Sequence, residues 1–197
     1  MAVGVKLRFA GATLEQYDTI CGLMGLTPRG AGPAGMLFHW AAEDEDAFLV
    51  TDVWRDRESF DEFGRTQIGP FTQQAGITTE PETTFYNVYN YLTAPEETGT
   101  ASAPTAVVMD FDGSLEQYDE VIDLMGFTPK GAGAPGGLFH WVTEIAGGLR
   151  VTDVWKDRQA FDDFSEHQIR PYTAKVGVAA PTSVKTYKVH NYLTAGA

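Results

Sequence analysis

Leu14-Glu15-Gln16-Tyr17-Asp18 returns as Leu115-Glu116-Gln117-Tyr118-Asp119, and Leu37-Phe38-His39-Trp40 returns as Leu138-Phe139-His140-Trp141 at the same offset of 101 residues. The offset holds without a gap through Thr51-Asp52-Val53-Trp54 and Thr152-Asp153-Val154-Trp155 to Asn90-Tyr91-Leu92-Thr93-Ala94 and Asn191-Tyr192-Leu193-Thr194-Ala195. Between Leu14–Ala94 and Leu115–Ala195, 41 of 81 positions are identical, so both halves must share one fold. A period of domain size marks a duplication and not a solenoid. The stretch 95–104 is polar and rich in Gly, Pro, Ser and Thr, which reads as an exposed linker. It divides the chain into repeat 1 (1–94), the linker (95–104) and repeat 2 (105–197).

Each repeat predicts the same string of elements. Val3–Phe9 and Ala106–Phe111 are β-prone first strands. Thr13 and Ser114 then stand at N-cap positions, each with a glutamine three residues on (Gln16, Gln117), the pattern of a capping box. Leu14, Tyr17, Ile20, Cys21 and Met24, and Leu115, Tyr118, Val121, Ile122 and Met125, fall at the spacing of one buried helical stripe ending at Gly25 and Gly126. After Gly/Pro loops, Met36–Ala42 with Phe48–Trp54, and Gly137–Thr143 with Leu149–Trp155, read as hairpins. A second helix runs from about Arg57 to Ile68 and from Arg158 to Ile169, with Phe60, Phe63 and Gln67 on one face and Pro70 or Pro171 marking an end or a kink. Thr84–Leu92 and Lys185–Leu193 are the last strands.

The order β-α-β-β-α-β is the split βαβ, ferredoxin-like unit. Helices cover only one face of such a sheet, so the other needs a cover, and a second copy in the same chain provides one. The expected class is α+β, two tandem ferredoxin-like repeats forming an intrachain dimeric α/β barrel: a monomer acting as a fused dimer, with further oligomerisation open.

Composition narrows the function. The 197 residues are 43% hydrophobic and 12% aromatic, enough for a sizeable core. A net charge of −13 disfavours nucleic acid and anionic membrane as partners. One cysteine, Cys21, excludes an intrachain disulfide framework and a Cys-rich zinc site; on the helix stripe it reads as a small buried hydrophobe, fitting a reducing cytoplasm. The N-terminus lacks a signal-peptide pattern and no apolar stretch approaches a membrane span, so the expected location is cytoplasmic.

Of four histidines, His39 and His140 occupy equivalent second-strand positions beside Trp40 and Trp141. Counting back from an even-length hairpin loop places His140 opposite Asp153 and His39 opposite Asp52, with Trp54 and Trp155 on the same face as the aspartates. A carboxylate on one imidazole nitrogen fixes the tautomer and makes the other more basic, which suits a general base. The candidate catalytic residues are therefore His39, Asp52, His140 and Asp153. The same pair could instead only satisfy two buried polar groups. Tyr17, Trp40, Trp54 and Gln67, with Tyr118, Trp141, Trp155 and Gln168, are the candidate substrate contacts. His167 and His190 have no histidine counterpart and read as surface features.

The loops Arg29–Gly35 and Lys130–Gly136 follow a helix and lead into a strand, the reverse of a phosphate-binding loop, so lids or plain connections are expected. There is no dinucleotide fingerprint, Walker motif, nucleophile elbow or HExxH, and the His and Asp spacing demands no metal, so neither cofactor nor metal is expected. Glu43-Asp44-Glu45-Asp46, aligned with Glu144-Ile145-Ala146-Gly147 in repeat 2, reads as a solvated turn.

Asp52-Val53-Trp54-Arg55-Asp56-Arg57-Glu58-Ser59-Phe60 and Asp153-Val154-Trp155-Lys156-Asp157-Arg158-Gln159-Ala160-Phe161 resemble the strand-to-helix segment of the antibiotic biosynthesis monooxygenase-like family of dimeric α/β barrels, and the resemblance covers each half nearly end to end. It implies homodimer-like pairing of the repeats and a pocket lined by the tryptophan of this segment. The histidine that the family often has within the following helix is replaced by Phe63 and Phe164, so haem-ligand chemistry is not carried over. The resemblance implies a secondary-metabolism enzyme acting on an apolar aromatic or polyketide-like molecule, by cofactor-independent oxygenation or base-catalysed cyclisation or isomerisation. The alternative is a non-catalytic protein of the same fold that binds a hydrophobic ligand.

Overall fold

Thr13 and Ser114 form the capping boxes that their spacing predicts. Each hydroxyl accepts from the backbone N–H of the glutamine three residues on, and each glutamine side chain accepts from the cap's own N–H. The helices they start bury Tyr17, Ile20 and Cys21, and Tyr118, Val121 and Ile122. A computed structural model describes residues 1–98 and 100–196; Gly99 of the linker and Ala197 lie outside the described residues. Along the chain the elements are β1 (Val3–Ala10), α1 (Leu14–Leu23), β2 (Met36–Asp44), β3 (Ala47–Trp54), α2 (Arg57–Phe63), α3 (Gly69–Gln74), β4 (Glu82–Asn87) and β5 (Asn90–Thr93). Then come β6 (Thr105–Phe111), α4 (Leu115–Leu124), β7 (Gly137–Ile145), β8 (Gly148–Trp155), α5 (Arg158–Phe164), α6 (Arg170–Val176) and β9 (Ser183–Leu193).

The protein is α+β, with two ferredoxin-like units whose strand pairs are all antiparallel. In the first unit β4, β1, β3 and β2 lie in that order, and Val189–Leu193 of β9 runs beside β2. In the second, Ser183–Lys188 of β9 pairs with β6, followed by β8, β7 and β5. The compact units thus comprise Met1–Asn87 with the chain from Val189 onward, and Val88–Lys188. Each unit's sheet is completed by the strand end of the other repeat. The last strand expected over Thr84–Leu92 is accordingly two strands, β4 and β5, because its halves pair in different units; β9 makes the same passage without a break.

Helix 57–68 neither ends nor simply kinks at its proline. A π-helical turn at Gly64–Ile68, and at Ser165–Ile169 in the second unit, bridges α2 to α3 and α5 to α6, with Pro70 and Pro171 at the first positions of the following helix. Proline has no N–H to donate to the carbonyl four residues back, and the bond of the preceding residue spans five residues, Gly69 to Gly64 and Arg170 to Ser165. The extra residue turns the inward face from Gln67 to Ile68, and from Gln168 to Ile169.

The Gly/Pro loops are anchored connections and not free lids. Thr194 N–H donates to the Gly30 carbonyl and Gly32 N–H to the Thr194 carbonyl, and Thr93 makes the same two bonds with Gly131 and Gly133. Gly35 and Gly136, at φ of 87° and 88°, close the loops where a β-carbon would crowd Ser59 and Ala160. Among the described residues no helix is long and apolar enough to cross a membrane.

Candidate active sites

The hairpin register sets the pair. The two-residue turns Glu45-Asp46 and Ala146-Gly147 align His39 with Asp52 and His140 with Asp153, and in both units His Nδ1 lies 2.6 Å from the Asp Oδ1. On the other side of each ring, Nε2 lies 2.8 Å from a tyrosine hydroxyl, Tyr17 in the first unit and Tyr118 in the second. The rings stack nearly parallel at 5.8 Å.

One further residue sets the direction of this chain. Asn191 Nδ2 donates to the Tyr17 hydroxyl at 2.9 Å while its Oδ1 accepts from the backbone N–H of Arg29 at 3.1 Å. Asn90 does the same for Tyr118 and Lys130, at 2.9 and 3.1 Å. With its oxygen occupied as an acceptor by an N–H, the amide can offer only a donor to the phenol. A phenol that accepts from the amide keeps its own proton to offer to Nε2, which sets Nδ1–H toward the carboxylate. A hydrogen-bonded chain thus runs from a buried aspartate through the imidazole to the tyrosine hydroxyl, and its geometry suits the Nδ1–H tautomer. Arg29 and Lys130, whose amides anchor the chain, adopt left-handed backbone at φ of 61° and 60°, a conformation that side chains rarely take.

Burial pushes the Tyr17 and Tyr118 phenols well above the ordinary tyrosine range, the asparagine bond opposing it only in part. Both stay neutral and serve as donors. Burial also raises the Cys21 thiol, which lies buried on α1 within hydrogen-bond reach of the Tyr17 hydroxyl.

Each triad borders a cavity under its own helices. In the second unit Tyr118, His140, Asp153 and Trp155 border a space of about 100 Å³ whose walls are otherwise largely apolar. In the first, Tyr17, His39 and Asp52 border one of about 50 Å³.

Not every expected contact reaches a cavity. Trp40 and Trp141 neighbour the histidines in sequence and so, by strand alternation, project from the opposite sheet face; neither lines the cavity beside its triad. Trp54 packs into the first core against Phe60 and Phe63, leaving Trp155 as the tryptophan that lines a triad cavity. The π turns swing Gln67 and Gln168 away from the triad cavities, Gln168 onto a separate open cleft beside His167, and Ile68 with Thr72, and Ile169 with Thr173, take their place. Trp54 and Trp155 Nε1 are buried without a hydrogen-bond partner, so both indoles act as apolar bulk. His167 is exposed and bonds the Asp163 carbonyl, whereas His190 pairs with Asp18 at 2.7 Å and sits edge-on to Tyr17.

Asn90 and Asn191 escaped the sequence reading of the site, although a signal existed. They open the longest run in the last strands that is identical between repeats, and they are polar at buried positions.

Solved proteins of low sequence identity share this fold. A Fusobacterium nucleatum protein named a "putative monooxygenase" superposes with a TM-score of 0.68 at 12% identity, over 99% of this chain and 95% of its own. A protein from Lactobacillus acidophilus of the same description superposes at 0.66 and 10% identity, over 99% and 97%. The likeness is one of fold over the whole chain. No family model and no curated protein sequence matches.

Proposed function

We propose that the chain is a small-molecule enzyme of the monooxygenase-like type in which a His–Asp pair, acting through a tyrosine, removes a proton from an apolar aromatic or polyketide-like substrate. One observation carries the reading: His140, held by a buried carboxylate at 2.6 Å and a neutral phenol at 2.8 Å, opens with both partners onto one apolar cavity. A substrate proton passes to the Tyr118 oxygen as the phenolic proton moves to His140 Nε2, and Asp153 stabilises the imidazolium that forms. The phenol relays the proton and stores no charge. Apolar walls exclude water and strengthen the charge interactions inside.

A carbanion or phenolate generated in this way is electron-rich. With dioxygen as the oxidant, a substrate CH₂ becomes a carbonyl and dioxygen is reduced to the carbonyl oxygen and water, which balances without an added cofactor. Cyclisation or isomerisation would use the same base.

Oxygen uptake with product mass spectrometry on a panel of polycyclic phenols tests the proposal. Tyr118→Phe and His140→Asn are expected to lower kcat roughly 10²- to 10⁴-fold, the usual contribution of a positioned acid or base, in protein that keeps a cooperative thermal transition, shifted down by the buried partners each leaves unpaired. Full turnover in either variant contradicts the mechanism. Ligand binding without turnover in the native chain would make it a binding protein.

A further inference from the structure

The repeats have kept identical triads and asparagines while changing the walls around them. Aligned on the triads, Met36 of the first unit stands where the second has Gly137, and Phe48 stands where the second has Leu149. Met36 is buried and packs so closely over Gly32 that a β-carbon there would overlap its sulfur. Phe48 stacks on Phe9 at 4.4 Å and meets the Tyr17 ring edge-on at 5.7 Å, covering the phenol that the first triad would present. In the second unit neither side chain is there. The space beside its triad is about twice as large, about 100 against 50 Å³, and the His140 side chain is 18% exposed where that of His39 is 9%.

We infer that the two sites have divided their roles: the second unit holds the ligand, and the first is a narrowed copy whose cavity Met36 and Phe48 cut to about half the volume. Gly137 and Leu149 are then the residues that set what the site admits. The ligand class is a flat, apolar molecule of about one aromatic ring in its buried part, carrying one hydroxyl or similarly acidic group for Tyr118. The inference rests on the proton-transfer reading of the triads for the ligand's acidic group, while the division itself rests only on the walls. The retained triad in the first unit ties β2, β3, α1 and β9 together whether or not a ligand enters.

Titration of the full chain with para-fluorophenol, followed by fluorine NMR, tests this directly. The native protein is expected to show one bound signal. Gly137→Met and Leu149→Phe, each installing the first unit's side chain, should weaken binding at least tenfold. The first unit carries methionine at this strand position, but a β-carbon at Gly137 would lie 3.1 Å from the Ala134 carbonyl, so Leu149→Phe provides a second route should Gly137→Met fail to fold. The reciprocal Met36→Gly/Phe48→Leu variant should gain a second bound signal. Two equal signals in the native chain, a signal that survives both filling substitutions, or no bound signal at all would overturn the division. Single-site binding by a protein that turns over no phenol would remove the proposed reaction and leave the division standing.

Discussion

Tyr17 and Tyr118 each receive a hydrogen bond from an asparagine and give one to a histidine, so ionising either phenol would break a donor and bury a charge. Burial therefore holds both protonated beyond the ordinary tyrosine range. The consequence for stability has a definite sign. The unfolded chain releases these protons near pH 10, whereas the folded chain keeps them, so their contribution is complete below about pH 10 and is lost as pH rises above it. Of the eight tyrosines, these two are expected to titrate only with unfolding. Spectrophotometric titration of the Tyr17→Phe/Tyr118→Phe variant checks this: the tyrosinate amplitude of the folded protein should match that of the native chain. A smaller amplitude would mean that the buried phenols ionise in place. The motif around Trp54 is also legible at this scale, since Asp52 holds His39 while Asp56 accepts from Ser59 N–H at 2.8 Å and starts α2.

At the scale of elements, local chemistry was readable and long-range pairing was not. Capping boxes, alternating strands and an even-length turn are set within a few residues, which is why the facing of His39 with Asp52 could be counted from the hairpin alone. The destination of the last strand depends on partners a hundred residues away, so nothing local distinguished β4 and β5 from one continuous strand. The π turns are a mixed case: Pro70 and Pro171 announced an irregularity, but an α-helical count placed Gln67 and Gln168 inward, and one extra residue per turn replaced them with isoleucine. The strand ends carry an energetic weight that can be measured. Asn191→Ala leaves the Arg29 N–H and one bond of Tyr17 unsatisfied in a buried setting and should cost about 1–3 kcal/mol in chemical denaturation, with Asn90→Ala costing a similar amount. No change in either variant would show that the asparagine bridges are not formed.

For the whole molecule, each triad comes from one repeat and its asparagine from the other. Neither repeat alone contains a complete site. Because Asn90–Ala94 and Asn191–Ala195 are identical, the strand end of repeat 1 can serve a second copy of repeat 1 as β9 serves it in the native chain. A chain of residues 1–94 is therefore expected to form a dimer in native mass spectrometry, and a stable folded monomer would contradict the exchange. Joining the repeats in one chain makes this association independent of concentration and leaves the walls of the two cavities free to differ. The central claim, that each unit holds its histidine with Nδ1–H toward aspartate and Nε2 as the acceptor for tyrosine, is tested most directly by long-range proton–nitrogen NMR of the histidines in the intact protein. Two of the four histidines, assigned through His39→Gln and His140→Gln, should show the Nδ1–H tautomer with Nε2 as the bare, hydrogen-bonded nitrogen. An Nε2–H tautomer, or a doubly protonated ring at neutral pH, in those two histidines would contradict it.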